Sequence, residues 1–213
     1  MRIIKCNIKG VVGCGIPEIE VESIASELKA GKLIVYPTET LYGLGVNAFD
    51  ESAVKHVFVI KKRPFDMPLS VAVSSIEMLE TVAVLDKTSR KLVQKLMPGP
   101  ITLIITKKPN VPDIVTSGSD EVGIRMPDHP LALQIIKRAG PITSTSANLH
   151  SKPDPTTVGS MVKEFGDAVS TYIDCGKTKL GKPSTIVAVH EGEIEIIRSG
   201  VVTKNAIEAA LNG

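Results

Sequence analysis

Apolar residues recur along the chain with helical and with strand-like spacing, and each spacing predicts an element type. In the stretch 51–61, four apolar residues share one face of a helix with about 3.6 residues per turn: Ala53, Val54, Val57 and Phe58. Asp50 precedes this stretch as an N-cap, and Pro64 prevents the helix from continuing. The pattern therefore predicts a helix over 51–61 that ends in a basic turn.

The same criteria predict a regular alternation of strands and helices over the rest of the chain. Strands are predicted at 3–8, 32–36, 69–73, 101–106, 123–126, 142–145, 171–173, 185–189 and 194–197, and further helices at 17–30, 87–96, 131–138, 158–165 and 204–211. Closely spaced strands toward the C-terminus indicate some antiparallel pairing. We expect a single α/β domain covering 1–213, with a twisted mixed sheet and flanking helices.

Composition excludes several classes of protein. The chain has 213 residues, of which 43% are hydrophobic, enough for a sizeable core. Its 25 basic and 23 acidic residues leave a net charge of +2, so any phosphate or nucleic-acid site has to arise from local clustering. Aromatic residues make up 3%, too few for platforms that stack bases. No stretch approaches the roughly 18 apolar residues of a membrane span, and we expect no membrane association.

Three cysteines, Cys6, Cys14 and Cys175, lie far apart in the sequence. Their number is odd and no C-x-x-C pair occurs, which argues against both a disulfide framework and a cysteine-based zinc site. A reducing, cytoplasmic location is therefore expected.

Hydroxyl groups, a carboxylate and two glycines follow a predicted strand in Tyr36-Pro-Thr-Glu-Thr-Leu-Tyr-Gly-Leu-Gly45. Short polar side chains on a backbone that can approach a ligand closely suit a small polar substrate. A strand-turn-strand connection with solvated threonines explains the same residues, because glycine-rich turns are common.

Two further segments carry cations. Lys61-Lys62-Arg63-Pro64 follows the end of a predicted helix, where cations interact favourably with the helix dipole. The proline could equally direct the ammonium and guanidinium groups toward a phosphate. Arg125 interrupts an apolar strand, and a buried arginine needs an anion. A structural ion pair and a substrate carboxylate both remain open as its partner.

The segment Ser144-Thr-Ser-Ala-Asn148 brings hydroxyls and an amide from a strand into a loop. These groups suit phosphate or carbamoyl oxygens, but no adjacent histidine or lysine would activate a nucleophile. His150 is interpreted as a solvated loop side chain. The sequence lacks a Walker loop, a dinucleotide-binding fingerprint, H-E-x-x-H and a kinase signature. The residues alone thus indicate an α/β enzyme that binds phosphate and carboxylate groups.

Six segments, taken in order, resemble the YrdC-like family of threonylcarbamoyl-adenylate synthases. They are 36–45, Lys61-x-Arg63-Pro64, 123–127, Ser146-Ala-Asn148 with Lys152-Pro-Asp-Pro-Thr156 behind it, Pro183-Ser-Thr-Ile-Val187 and Ile196-Ile-Arg198-x-Gly200. Each segment is weak alone, whereas six in this order are specific. The resemblance extends from about residue 18 to the end of the chain.

The resemblance implies an α/β fold with a basic concave face and a two-part reaction. L-threonine is carboxylated on nitrogen with bicarbonate or CO2, and the carbamate then attacks the α-phosphorus of ATP and releases pyrophosphate. A separate tRNA threonylcarbamoyl transferase would receive the product, threonylcarbamoyl-AMP. Positioning and cations are the main requirements of such a displacement, so no protein nucleophile is needed.

The resemblance also assigns roles to individual residues. Those expected to hold L-threonine are Thr40, Arg125, Ser144 and Ser184. Those expected to hold ATP, together with Mg²⁺, are Lys61, Arg63, Ser146, Asn148, Asp154 and Arg198. Lys61 and Arg63 would also act in catalysis, and Arg125 would pair with the threonine carboxylate.

The sequence departs from the family pattern in three places. Many relatives have a threonine-contacting histidine where this chain has Ala72. Asp154 stands where serine is frequent, and its charge is expected to disfavour a phosphate contact. The sequence ends soon after Arg198, so we expect the short, single-domain form of the family.

Two other functions compete with the synthase interpretation. A non-catalytic module that binds tRNA or double-stranded RNA would use the basic face but would not need Thr40, Ser144 or Ser184. A carbamoyl-transfer module of the hydrogenase-maturation type would need acylphosphatase-like and zinc modules, for which the chain has neither the length nor the cysteines.

Overall fold

The computed structural model of the chain describes residues 1–6, 15–153 and 157–212. Within these ranges the strands are β1 (Arg2–Lys5), β2 (Ile34–Tyr36), β3 (Gly43–Gly45), β4 (Ser70–Ala72), β5 (Ile101–Thr106), β6 (Glu121–Arg125), β7 (Ile142–Ser146), β8 (Thr171–Asp174), β9 (Thr185–His190) and β10 (Glu193–Arg198). The helices are α1 (Glu18–Lys29), α2 (Glu51–Lys61), α3 (Ile76–Val82), α4 (Lys87–Leu96), α5 (Asp113–Thr116), α6 (Pro130–Ala139), α7 (Val158–Phe165) and α8 (Lys204–Asn212).

The strands form one ten-stranded sheet in the order β1-β8-β2-β3-β7-β4-β6-β5-β9-β10. The sheet contains parallel pairs, such as β1 with β8 and β4 with β6, and antiparallel pairs, such as β3 with β7 and β9 with β10. The predicted mixed sheet with flanking helices is confirmed. None of the described helices is both long and apolar enough to cross a membrane.

Local signals set several of the helix boundaries. Helices α2, α4 and α7 span the residues predicted for them. Asp50 Oδ1 accepts a hydrogen bond from the backbone N–H of Ala53 at 3.0 Å, and thereby caps α2 as expected. Thr203 Oγ1 accepts from the N–H of Ala206 at 3.3 Å at the start of α8. Other predicted boundaries differ by a few residues, and the strand predicted over 3–8 extends beyond the described residues.

The hydrophobic core forms two clusters on opposite faces of the sheet. Ile34 and Tyr36 of β2 belong to one cluster and Val35 to the other, as expected because successive strand residues point to opposite faces. Helices α1 and α6 pack on the first face. No described residue of β5, β6, β9 or β10 joins the cluster on that face. These two helices therefore leave the part of the face formed by those strands uncovered.

Cys6 and Cys175 form a disulfide, which corrects the expectation drawn from cysteine spacing. Strand β1 pairs in parallel with β8 and places Lys5 opposite Asp174, so the next residue of each chain segment also becomes a neighbour. The Cα atoms of the two cysteines are 4.8 Å apart. Parallel pairing brings together residues that are 169 positions apart, and spacing alone does not show this. Cys14 lies outside the described residues.

The glycines of β3 make room for a buried aromatic ring. Tyr36 is 1% exposed and lies across the neighbouring strand. A Cβ atom at Gly43 would be 2.6 Å from Tyr36 Cζ, and one at Gly45 would be 3.0 Å from Tyr36 Cε1. These glycines therefore have a packing role, in addition to the ligand approach that the sequence suggested.

We predict that Gly43→Ala lowers the free energy of unfolding by about 1–3 kcal/mol, because the new methyl group overpacks the Tyr36 ring. Gly159→Ala is the matched control, since a Cβ atom at Gly159 in α7 meets nothing within 4 Å. It should leave stability unchanged or raise it by up to about 1 kcal/mol. Urea denaturation measures both effects, and equal stability of the two variants would contradict the packing role.

Candidate active site

A cavity of about 200 Å³ opens on the uncovered part of the sheet face. Its wall is built from polar side chains of adjacent strands, because Ser70 pairs with Ser144 and Thr102 pairs with Arg125. These side chains lie on the same face as α1 and α6, beyond the part that the two helices cover. A Cβ atom at Gly123 would be 2.7 Å from Ser70 Oγ, so the glycine gives the serine its space.

Arg125 lies in the wall of this cavity with only 11% of its side chain exposed. Its Nη2 donates to Thr40 Oγ1 and, at 3.3 Å, to Thr38 Oγ1. The same nitrogen lies 3.1 Å from Glu39 Oε2. Three consecutive residues of the segment after β2 thus surround one end of the guanidinium group. Both partners considered from the sequence are compatible with this geometry, because an ion pair is present and the cavity lies beside it.

Arg198 reaches the cavity from the end of β10 and is held by Ser184. Its Nη2 donates to the Ser184 carbonyl at 2.9 Å and to Ser184 Oγ at 3.3 Å. Ser184 Oγ also hydrogen-bonds Thr102 Oγ1 at 2.9 Å. A Cβ atom at Gly200 would lie 2.5 Å from the backbone of 183–185, so glycine is required for this close approach.

Lys61, at the end of α2, and Arg63, in the turn that follows, have different contacts. Lys61 is 2% exposed, and its Nζ donates to the carbonyl oxygens of Ser146 at 2.5 Å and Asn148 at 2.6 Å. Arg63 lines the cavity and donates to the carbonyls of Met67 at 3.0 Å and Pro68 at 2.9 Å. Lys61 therefore fixes the loop after β7, whereas Arg63 contributes a cation to the cavity.

That loop is held further by side-chain amide contacts. Asn148 is 8% exposed, and its Oδ1 accepts from Ser146 Oγ at 2.6 Å. Its Nδ2 donates to the Lys152 carbonyl at 2.7 Å. Ser146 is thereby held at the edge of the cavity by groups that lie behind it.

A family model named Sua5/YciO/YrdC, with the description telomere recombination, matches residues 26–200. The chain belongs to the Sua5/YciO/YrdC family. The resemblance that the six sequence segments indicated is confirmed, and so is the α/β fold class. The basic concave face stays a prediction.

Relatives in this family match most of the chain. A protein of Methanocaldococcus jannaschii is 41% identical over 181 residues, which are 85% of this chain and 86% of the relative. The threonylcarbamoyl-AMP synthase of Pyrococcus abyssi is 38% identical over 198 residues, 92% of this chain but 58% of the relative. The crystal structure of P. abyssi Sua5 complexed with L-threonine superposes with a TM-score of 0.92 at 37% identity, covering 99% of this chain and 61% of that one. The chain therefore spans about three fifths of the P. abyssi protein.

Six of the ten site residues predicted from the family motifs line the cavity. They are Arg63, Arg125, Ser144, Ser146, Ser184 and Arg198. Thr40, Lys61 and Asn148 do not line it but contact residues that do. Asp154 lies outside the described residues. The roles of all ten stay predictions.

Sequence reasoning missed Ser70 and Thr102, which also line the cavity, and it included Thr38 only as part of the segment 36–45. Ser70 and Thr102 are hydroxyl residues in mainly apolar strands, and their only signal was that they break the apolar pattern. Ala72, where many family members carry histidine, is fully buried in the cluster beneath α1 and α6. Ser70, two residues earlier on the same strand, is the side chain of β4 that faces the cavity.

The burial of Lys61 can be tested by measuring how the free energy of unfolding depends on pH. Burial, with the nearby charge of Arg63, lowers the pKa of Lys61 from 10.5 to about 7, although Glu164 opposes this shift. The unfolded chain consequently holds more protons between these two pH values, and this residue makes stability rise with pH across that window. Below pH 7 both states are protonated, and the dependence ends.

We predict that Lys61→Met removes this pH dependence. The free energy of unfolding of the wild type minus that of the variant should rise by up to about 1.4 kcal/mol per pH unit between pH 7 and 10. Lys62→Met changes the exposed neighbour on the same turn and should run parallel to the wild type. Denaturant titrations at several pH values measure the slopes, and parallel curves for Lys61→Met would contradict the lowered pKa.

Proposed function

We propose that this protein is an L-threonylcarbamoyladenylate synthase, a nucleotidyltransferase of the cytoplasm. It condenses L-threonine, bicarbonate or CO2, and ATP to threonylcarbamoyl-AMP and pyrophosphate, with release of water when bicarbonate is used, for modification of tRNA. The observation that carries the proposal is one cavity lined by three guanidinium groups, from Arg63, Arg125 and Arg198, together with neutral hydroxyls. Guanidinium forks match carboxylate and phosphate oxygens, which are the anionic groups of these substrates.

In this proposal Arg125 binds the carboxylate of L-threonine. Ser144 and Ser184 line the same cavity and offer hydroxyl groups to the amino acid. Thr40 is fully buried and contacts Arg125, so it acts by holding the guanidinium group in place. The P. abyssi relative whose crystal structure contains L-threonine supports this choice of amino acid.

Arg63 and Arg198 bind the phosphate groups of ATP in the same cavity. Lys61 and Asn148 set the position of Ser146 at its edge, and Asp154 belongs to the same proposed ATP-binding group. A carbamate oxygen forms a bond to the α-phosphorus while the bond to pyrophosphate breaks. Cations that neutralise the phosphate oxygens stabilise this displacement without a protein nucleophile.

Magnesium would enter this site with the nucleotide. Among the described residues, no group of three or more histidine, cysteine, aspartate or glutamate side chains could hold a metal ion. Mg²⁺ is commonly bound through nucleotide phosphates and water, with few protein ligands. The proposed metal is thus part of the MgATP substrate and has no cage of its own in the described parts of the chain.

The product is a labile mixed anhydride, so a separate tRNA threonylcarbamoyl transferase is the proposed downstream partner. Binding of tRNA or double-stranded RNA without catalysis is the alternative function. It would need the basic residues but not the arrangement of hydroxyls around Arg125. The names of the P. abyssi and Bacillus subtilis relatives, both threonylcarbamoyl-AMP synthases, favour the enzyme.

We predict that the wild type releases pyrophosphate from MgATP and bicarbonate only when L-threonine is present. Arg125→Ala should lower this activity on the order of a hundredfold or more, because the substrate carboxylate loses a buried charged partner. Arg138→Ala is the matched control, since Arg138 pairs with Glu18 and Glu22 on the surface of α1 and α6. A pyrophosphate assay gives the rates, and mass spectrometry identifies the product.

Two outcomes would contradict the proposed function. Pyrophosphate release that does not depend on L-threonine would point to another acceptor. No release with any combination of substrates, together with RNA binding that survives Arg125→Ala, would favour the RNA-binding alternative.

A further inference from the structure

A second cavity, of about 360 Å³, adjoins the first. Thr38 and Tyr42 line both cavities. Arg125 lines the first and Glu39 lines the second, and the two side chains are 3.1 Å apart. This ion pair therefore lies where the cavities meet, and Glu39 is the member of the pair that has no role in the assignments above.

Glu39 is buried without hydrogen bonds to its carboxylate. The residue is 4% exposed, and neither carboxylate oxygen accepts a hydrogen bond from any described residue. Its contact with Arg125 Nη2 is close but lacks hydrogen-bond alignment, whereas Thr38 and Thr40 accept hydrogen bonds from that nitrogen. Buried carboxylates are normally hydrogen-bonded, because desolvation is costly. Glu39 thus keeps acceptor capacity beside the Arg125 guanidinium group.

Charge balance indicates what this acceptor binds. Arg125 and Glu39 together are neutral when no ligand is bound. A simple carboxylate on Arg125 would leave this buried cluster with a net negative charge, which a low-dielectric environment disfavours. A ligand that also carries a cation one carbon from its carboxylate restores neutrality.

We propose that Glu39 binds the α-ammonium group of the amino acid whose carboxylate binds Arg125, and so selects zwitterions over simple carboxylic acids. This inference rests on the proposed function, because it takes L-threonine as the ligand. The ammonium group provides the hydrogen-bond donors that the Glu39 oxygens lack. Thr38 and Thr40 accept hydrogen bonds from Arg125 and hold its guanidinium group in place. Glu39 is then a binding and specificity-determining residue of the site.

The test compares L-threonine with 2,3-dihydroxybutanoate, the analogue in which a hydroxyl group replaces the ammonium group. Calorimetry on the full chain should show that the wild type binds L-threonine at least about tenfold more tightly than the analogue. In Glu39→Gln this ratio should fall by roughly tenfold or more, because L-threonine binding weakens while analogue binding is kept or improved. Glu39→Asp, which keeps the charge, should retain a preference for L-threonine.

Glu27→Gln is the matched control, because Glu27 forms a 2.7 Å ion pair with Arg2, away from both cavities. It should leave the ratio of affinities unchanged. Equal weakening of both ligands in Glu39→Gln would show a purely structural role and overturn the inference. If Glu39→Gln fails to fold, the wild type alone still tests the inference, because equal affinity for L-threonine and the analogue would overturn the inference.

The pyrophosphate assay separates this inference from the proposed function. Threonine-dependent release by the wild type, with an unchanged affinity ratio in Glu39→Gln, refutes only the role of Glu39. Failure of the wild type to bind L-threonine refutes both.

Discussion

The incomplete cover of one sheet face is the constraint on which the site depends. Helices α1 and α6 bury apolar residues of β2, β7 and β8 on that face, but no described residue of β5, β6, β9 or β10 joins their cluster. Strands that are left without a helix cannot carry apolar side chains there at low cost. Ser70, Thr102 and Arg125 occupy the corresponding positions, while the opposite face of the same strands stays apolar. The cavity is therefore a consequence of how the two layers cover the sheet.

Much of the fold could be predicted because local signals agreed with the final structure. Helix α2 has its aspartate cap, its apolar stripe and a proline beyond its end, and it spans the predicted residues. Strand β3 was absent from the predicted strands, although a strand-turn-strand connection was one alternative for 36–45, because glycine is unfavourable in strands. Contacts with Tyr36, and at Gly45 also with Ile142, explain Gly43 and Gly45. The helix α3 and the short helix α5 were also missed. Tertiary packing decides β3, whereas α3 has a local start signal that was not used, since Ser75 Oγ accepts from the backbone N–H of Met78 at 3.1 Å.

The sequence predicted those site residues that belong to a recognisable motif, and it did not predict the others. Arg125 stood out as a charge in an apolar strand, but Ser70 and Thr102 became recognisable only when the strand order placed β4 and β5 on either side of β6. The disulfide between Cys6 and Cys175 was missed for the same reason, because it depends on the pairing of β1 with β8. Sequence pattern reports which residues are unusual, and topology determines which of them meet.

The backbone conformation of the turn after α2 places two nearby cations, Lys61 and Arg63, in different environments. Lys62 adopts a left-handed conformation with φ 52°, although it is not glycine, and its neighbour Arg63 donates its backbone N–H to the Phe58 carbonyl at 2.9 Å. Such a conformation costs a non-glycine residue about 1–2 kcal/mol. It ends the helix at Lys61, whose Nζ contacts the loop after β7, while Arg63 lines the cavity. A continued helix would separate Lys61 and Arg63 by about 200° around its axis. The strained turn is thus what allows one short basic segment both to hold the loop and to charge the cavity.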